Sequence, residues 1–98
     1  MELLAPEQVA TLLAGLTDWQ SPDGQAICRD FEFPDFGRAI GFMTAVAVRA
    51  DRMDHHPEWS NVYRKVTVRL TTHSARGLTE LDFELAGYMD AVARDLGD

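Results

Sequence analysis

The residues of this sequence that are best suited to chemistry are its three histidines, His55, His56 and His73. Two of them are adjacent, and the third follows His55 by eighteen residues, across a predicted β-hairpin. Asp51 lies one helical turn before His55 and adds a carboxylate. Because imidazole titrates at about pH 6.5, histidine can give and take protons at neutral pH. The cluster therefore predicts an acid–base site, in which a positioned group contributes roughly 10²–10⁴-fold in rate.

Other catalytic chemistries have little support in the sequence. There is no G-x-S-x-G nucleophile pattern, and the single cysteine, Cys28, lies far from the histidines along the chain. A phosphate-binding loop and a dinucleotide fingerprint are also missing from the sequence. Metal binding is the competing use of three histidines and a carboxylate. We expect no metal, because adjacent histidines diverge in an extended chain and the sequence has no H-E-x-x-H motif or cysteine pair.

Each candidate residue also has a purely structural interpretation. The run His55-His56-Pro57 could be a polar turn, and His73 could end a strand. Asp51 could be a solvated carboxylate at a helix end, although anions are disfavoured at helix C-termini. These interpretations stay open at the level of single residues.

Three helices must position these side chains, and apolar stripes at helical spacing predict them. The first stripe consists of Val9, Leu12, Leu13 and Leu16, and the second of Phe36, Ala39, Ile40, Met43, Val46, Ala47 and Ala50. The third consists of Leu81, Leu85, Met89, Val92 and Leu96. We expect the first helix to end near Gly15 and Asp35 to cap the second. Thr79 and Asp82 have the spacing of a capping box that opens the third helix.

Four strands are predicted between these helices. They are a short one at Trp19-Gln20, one at 25–33 with Arg29 as the exception on its apolar face, and a hairpin of 59–63 and 66–72. Val66, Val68 and Leu70 should share one face of the hairpin, and the helical pattern should break over 51–57. The order α-β-β-α-β-β-α predicts a two-layer α+β fold, a four-stranded antiparallel sheet with three helices packed on one face.

Length and charge limit the class of protein. A chain of 98 residues fits one domain over 1–98, and such a small core favours association with further copies. The net charge of −7 disfavours direct binding to nucleic acid or to a membrane surface. No segment approaches the ~20 apolar residues of a membrane span, and no secretory signal is apparent. A lone cysteine fits a reducing compartment, so we expect a cytoplasmic protein.

The segment that contains the histidines resembles the signature of the pterin-4a-carbinolamine dehydratase family. That signature places an acidic residue three spacers before His-His-Pro, followed by an aromatic residue, a His or Trp, and an Asp. The corresponding residues here are Asp51, His55, His56, Pro57, Tyr63, His73 and Asp82. The resemblance also includes Trp19, residues 35–44, 71–73 and 77–79, and so extends over nearly the whole chain.

The resemblance implies the dehydration of a tetrahydropterin that carries a hydroxyl at C4a. The products would be water and the quinonoid dihydropterin, which a reductase can recycle in tetrahydrobiopterin-type cofactor metabolism. The leaving hydroxyl needs a proton and a ring nitrogen must lose one, so the family requires no metal and no redox cofactor. Members of the family associate as dimers or tetramers, which implies a homodimer or homotetramer here.

The resemblance also implies roles for single residues. His55 and His73 would donate protons to the hydroxyl, one on each face of the ring. His56 would hold the pterin and share in catalysis, while Asp51 would orient or polarise a histidine. Trp19 and Asp82 are family-associated positions, expected to bind substrate with a weaker claim to direct contact.

Three alternatives follow from the same resemblance. Animal members also act as dimerisation cofactors of a homeodomain transcription factor, so a protein-binding role is possible. A second alternative is a relative whose pterin belongs to molybdopterin metabolism. A third is an inactive scaffold, which would be expected to lack the histidines that this chain retains.

Overall fold

The computed structural model describes residues 2–98, which form three α-helices and a three-stranded antiparallel sheet. The helices are α1 (Pro6–Ala14), α2 (Phe36–Met53) and α3 (Glu80–Asp95). The strands are β1 (Ile27–Glu32), β2 (Glu58–Val62) and β3 (Lys65–Leu70), and a 3-10 turn at His73–Ala75 follows β3. The predicted α+β class and the three helices are confirmed.

Strand β3 lies in the middle of the sheet, whose order is β1-β3-β2. Ile27 of β1 is opposite Leu70 of β3, and Trp59 of β2 is opposite Val68. A two-residue turn at 63–64 joins β2 to β3, because Val62 pairs with Lys65. The predicted hairpin is therefore present, and the end of β3 lies beside the start of β2.

The prediction of a fourth strand at Trp19-Gln20 is wrong. Only Gln20 pairs with β1, through a single antiparallel bridge to Cys28 with N–O distances of 3.0 and 2.7 Å. The chain turns at the next residue, Ser21, whose hydroxyl donates to the carbonyl of Ala26 at 2.7 Å. The residues that follow Gln20 form this turn, so they cannot continue the pairing with β1.

The core lies between one face of the sheet and the helices. Val66, Val68 and Leu70 have no exposed surface, which confirms the predicted inward face of β3. Helices α2 and α3 pack against each other, and α1 contributes side chains that are only partly buried. The opposite face of the sheet carries mostly polar side chains, which alternate with the buried ones along the strands.

The buried stripe of α2 differs from the predicted one. It consists of Ala39, Phe42, Val46 and Ala50. The ring of Phe42 packs between Phe31 and Phe33, with centroid distances of 4.7 and 5.0 Å. Phe36, Ile40 and Ala47, which the predicted stripe included, are exposed. Because α2 carries apolar residues on more than one side, spacing alone selects no single face, and the aromatic contacts of Phe42 decide it.

Arg29 is the exception on the apolar face of β1 because it is paired inside the fold. Its guanidinium lies 4.0 Å from the ring centroid of Phe31, and its Nη1 donates to Asp90 at 2.6 Å. Its Nη2 donates to Asp98. The indole N–H of Trp19 donates to the same Asp90 carboxylate at 2.8 Å. An aromatic face and paired carboxylates allow a cation to be buried at this position.

Two valines of the hairpin test the assignment of the buried face. Val66 is 0% exposed and Val62 is 74% exposed. Val66→Ala should lower the free energy of unfolding by about 2 kcal/mol, because two buried methyl groups are lost and a cavity remains. Val62→Ala should change it by less than about 0.5 kcal/mol. Urea unfolding at one protein concentration measures both, and equal losses would contradict the assigned faces.

Candidate active site

The three histidines line one surface cavity of about 330 Å³. Its lining comes from the turn after α2, the end of β3 with the 3-10 turn, and α3: Asp54, His55, His56, Thr71, Thr72, His73, Ser74 and Leu81. The volume lies at the small end of the range of ligand pockets, about 300–1,000 Å³, and suits a small heterocycle. Histidines that are distant in sequence therefore share one site.

The end of α2 determines where His55 lies. Asp54 adopts the left-handed conformation with φ of 50°, which aspartate tolerates better than most residues. The N–H of Asp54 donates to Asp51 at 3.2 Å, and the N–H of His55 donates to Ala50 at 3.0 Å. The second bond is the six-residue closure of a Schellman motif. The helix therefore continues past Asp51 to Met53, and the predicted break at Asp51 is wrong.

The side chain of His55 is buried against Asp82. Its Nε2 lies 2.6 Å from Oδ1 of Asp82, and the two residues are 6% and 0% exposed. The other carboxylate oxygen accepts from the hydroxyl of Thr72 at 2.8 Å and from the backbone N–H of Thr79 at 3.0 Å. Because a carboxylate only accepts hydrogen bonds, the proton of this contact belongs to Nε2 of His55. Nδ1 is then the ring nitrogen that is left for another partner.

The two threonines complete this buried network. Thr72 donates its only hydroxyl proton to Asp82, so it accepts from the hydroxyl of Thr79 at 2.8 Å. The hydroxyl of Thr79 also accepts from the N–H of Leu81 at 3.3 Å, as the N-cap of α3. The predicted capping box of Thr79 and Asp82 is confirmed. One carboxylate thus caps α3 and holds the ring of His55.

His56 lies at the exposed side of the cavity and has its own carboxylate partner. Its Nε2 is hydrogen-bonded to Oδ1 of Asp51 at 3.0 Å. Asp51 belongs to the last turn of α2, so the end of this helix supports both adjacent histidines. Both side chains are largely exposed, and the pair is weaker than the buried one because water competes for it.

His73 is held by the loop that follows β3. Thr72 and Gly77 close this loop with two backbone hydrogen bonds of 2.9 and 3.3 Å, and Arg76 takes the left-handed conformation with φ of 62°. The Nε2 of His73 lies 3.0 Å from Oε2 of Glu58, at the start of β2. The hairpin therefore places a carboxylate beside the third imidazole.

Some of the site residues predicted from the sequence line the cavity, and others do not. The three histidines line it, and Asp51 contacts it through His56. Asp82 has no exposed surface and contacts His55 from inside the fold. Trp19 is buried beside Phe31 and bonded to Asp90, and it does not line the cavity.

Sequence reasoning did not identify Glu58 or Thr72 as part of the site. Glu58 comes directly after Pro57 and pairs with Arg69 in the sheet register. That register follows from the short hairpin turn, so the neighbourhood of Glu58 and the end of β3 could have been found from the sequence. The role of Thr72 could not, because it depends on how closely α3 approaches β3.

Groups outside the cavity add little chemistry. Burial raises the pKa of the Cys28 thiol, which disfavours the reactive thiolate at neutral pH. Within residues 2–98, no three His, Cys, Asp or Glu side chains converge in a way that could hold a metal ion. None of the helices in the same range combines the length and apolar character needed to cross a membrane.

Comparison with known proteins gives matches over almost the whole chain. The profile of the family described as "Pterin 4 alpha carbinolamine dehydratase" matches residues 2–92. A relative from Paraburkholderia xenovorans that carries the name pterin-4-alpha-carbinolamine dehydratase is 52% identical over 91% of this chain and 94% of its own length. A relative of the same name from Bradyrhizobium sp. is 54% identical over 95% of this chain and 94% of its own.

Solved structures give the same result. The structure of a transcriptional coactivator/pterin dehydratase from Brucella melitensis matches with a TM-score of 0.88 at 47% identity, over 92% of this chain and 97% of that one. A pterin dehydratase-like protein identified as a RuBisCO assembly factor matches with a TM-score of 0.67 at 20% identity, over 78% of this chain and 89% of that one, and shares the fold. The family signature and the fold agree with the sequence identities of 52% and 54% to relatives that carry the family name. The chain belongs to the pterin-4a-carbinolamine dehydratase family.

Proposed function

We propose that this protein removes water from a 4a-hydroxytetrahydropterin and releases the quinonoid dihydropterin. Family membership supports this proposal. The single observation that carries it is that three imidazoles line one cavity of about 330 Å³. In tetrahydrobiopterin-type cofactor recycling, the product would pass to a reductase.

The proposed reaction requires only proton transfer. The bond between C4a and the hydroxyl oxygen breaks, and the oxygen takes a proton and leaves as water. A ring nitrogen gives up a proton, and the ring system gains a double bond at C4a. No electron is exchanged with another molecule, so a donor and an acceptor of protons placed around the ring are sufficient.

The burial of the histidines supports a division of labour. His55 is fixed by Asp82, so its Nδ1 has a defined direction and can exchange a proton with the substrate. His73 is exposed at the cavity and can take up protons from water between turnovers. We assign to both, in the imidazolium form that carries a proton on Nδ1 as well as on Nε2, the donation of the Nδ1 proton to the hydroxyl, one on each face of the ring. His56, held by Asp51, contacts the pterin from the third side.

The second candidate function is a protein-binding role, with the coactivator named in the Brucella structure as its precedent. The exposed apolar side chains Phe36, Ile40 and Val48 of α2 favour it. Such a role would not need the histidine cavity, so a chain that fails to accelerate dehydration would favour this candidate. A relative serving molybdopterin metabolism differs from the first proposal only in the pterin that it uses, and stays a prediction.

The decay of 4a-hydroxytetrahydropterin tests the proposed function directly. The protein should accelerate this decay in a stopped-flow assay. His55→Ala and His73→Ala should each lower kcat by about 10²-fold or more, because each removes a proton donor. His73 is exposed, so its variant should keep the circular dichroism and the subunit count of the parent protein.

Arg64→Ala serves as the control for these variants. Arg64 lies in the exposed turn between β2 and β3 and does not line the cavity. It should retain the rate of the parent protein. Unchanged rates in both histidine variants would contradict the proposed mechanism.

A second test addresses the buried carboxylate. Asp82→Asn replaces one acceptor oxygen by an NH₂ donor, so either His55 or the Thr72 and Thr79 donors lose their partner. We expect kcat to fall about tenfold or more and the free energy of unfolding to fall by about 1–3 kcal/mol.

The matched control is Asp95→Asn, which changes an exposed aspartate in the same helix. Its unfolding free energy should stay within about 0.5 kcal/mol of the parent value. Denaturant unfolding and the stopped-flow assay measure both variants. Asp82→Asn with the kcat of the parent protein would show that the His55 pair has no part in the reaction.

A further inference from the structure

We propose that Glu58 is a positioning residue for His73, and that it selects the imidazole tautomer presented to the cavity. The proposal rests on the dehydratase function proposed above. Its first support is the distance of 3.0 Å between Oε2 of Glu58 and Nε2 of His73. Glu58 does not line the cavity, so it would act through the histidine and not on the substrate.

The sheet fixes the location of Glu58 from two sides. It is the first residue of β2 and pairs in register with Arg69 of β3. Nη1 of Arg69 lies 3.3 Å from each carboxylate oxygen of Glu58, and Nη2 lies 3.9 Å from Asp23. The contact with the guanidinium of Arg69 restricts the orientation of the Glu58 carboxylate, which therefore faces His73 in one orientation.

His73 needs such a partner more than His55 does. The side chain of His73 is 75% exposed, so nothing buried restricts its rotation. A carboxylate beside Nε2 favours the neutral tautomer with its proton on that nitrogen, so Nδ1 is left to take up a proton from water and pass it to the substrate. Without Glu58, the ring would sample both tautomers and several rotamers, and fewer molecules would be ready to transfer a proton.

The pattern repeats at the other two histidines. Nε2 of His55 is bonded to Asp82, and Nε2 of His56 is bonded to Asp51. At His73 the contact with Glu58 is an ion pair of 3.0 Å, so each imidazole of the cavity has a carboxylate beside the same ring nitrogen. An incidental surface ion pair would contribute little, and its removal would leave both tautomer and rate unchanged.

The tautomer can be measured without any assay of activity. Long-range ¹H–¹⁵N spectra of the histidine rings at about pH 8.5, where an ordinary imidazole is neutral, distinguish a proton on Nε2 from one on Nδ1. We expect the Nε2–H form of His73 in the parent protein and a shift towards the mixed population in Glu58→Ala. Glu32→Ala removes an exposed glutamate that lies beside Arg64, at 3.7 Å, and should leave the His73 resonances unchanged. Identical His73 ring shifts in the parent protein and in Glu58→Ala would overturn the proposal.

Kinetics supply the second measurement. Glu58→Ala should lower kcat about tenfold with KM within about twofold, because Glu58 orients a proton donor and does not bind substrate. Glu58→Gln should retain more activity, because its amide oxygen can take the place of the carboxylate oxygen beside Nε2. The double variant Glu58→Ala/His73→Ala should be no slower than His73→Ala alone, since both changes act through one ring. Additive losses would overturn the proposal. A parent protein without dehydratase activity would refute the proposed function, and the ring spectra would still decide whether Glu58 positions His73.

Discussion

The buried carboxylate of Asp82 is the interaction on which the arrangement of the site depends. It has no exposed surface and accepts from three groups, the ring of His55, the hydroxyl of Thr72 and the N–H of Thr79. An unpaired charge at this depth would cost several kcal/mol, so all three donors must be present together. These donors come from the end of α2, the end of β3 and the start of α3. Satisfying one carboxylate therefore fixes three elements relative to one another.

The three histidines share a chemical arrangement but differ in their surroundings. Each has a carboxylate within 3.0 Å of Nε2, which leaves Nδ1 for other partners. His55 is buried and its ring is fixed, whereas His56 and His73 lie in water and depend on exposed carboxylates. One rigid and two adaptable imidazoles suit the proposed dehydration, which would need a fixed pterin ring and proton exchange with solvent.

The local parts of this structure could be predicted from the sequence, and the parts that depend on tertiary contacts could not. The capping box of Thr79 and Asp82 and the inward face of Val66, Val68 and Leu70 follow from short-range rules, and the structure confirms them. The prediction of an extra strand at Trp19-Gln20 was wrong, because a turn stabilised by the hydroxyl of Ser21 ends the pairing with β1 after Gln20. The predicted stripe of α2 was right for Ala39, Val46 and Ala50 but missed Phe42, because aromatic packing and not spacing places that ring in the core. The convergence of the histidines was predictable from the hairpin, whereas the burial of Asp82 behind His55 depends on how α3 packs.

The binding of an unreactive oxidised pterin, followed by NMR of the histidine and tryptophan ring nitrogens, tests the central claim most directly. The claim is that one cavity lined by His55, His56 and His73 receives the pterin. We expect the resonances of all three imidazoles to shift together along one saturation curve, while the indole N–H of Trp19, bonded to Asp90 in the core, stays in place. A pterin that shifts Trp19 and leaves the three histidines unmoved would contradict the claim.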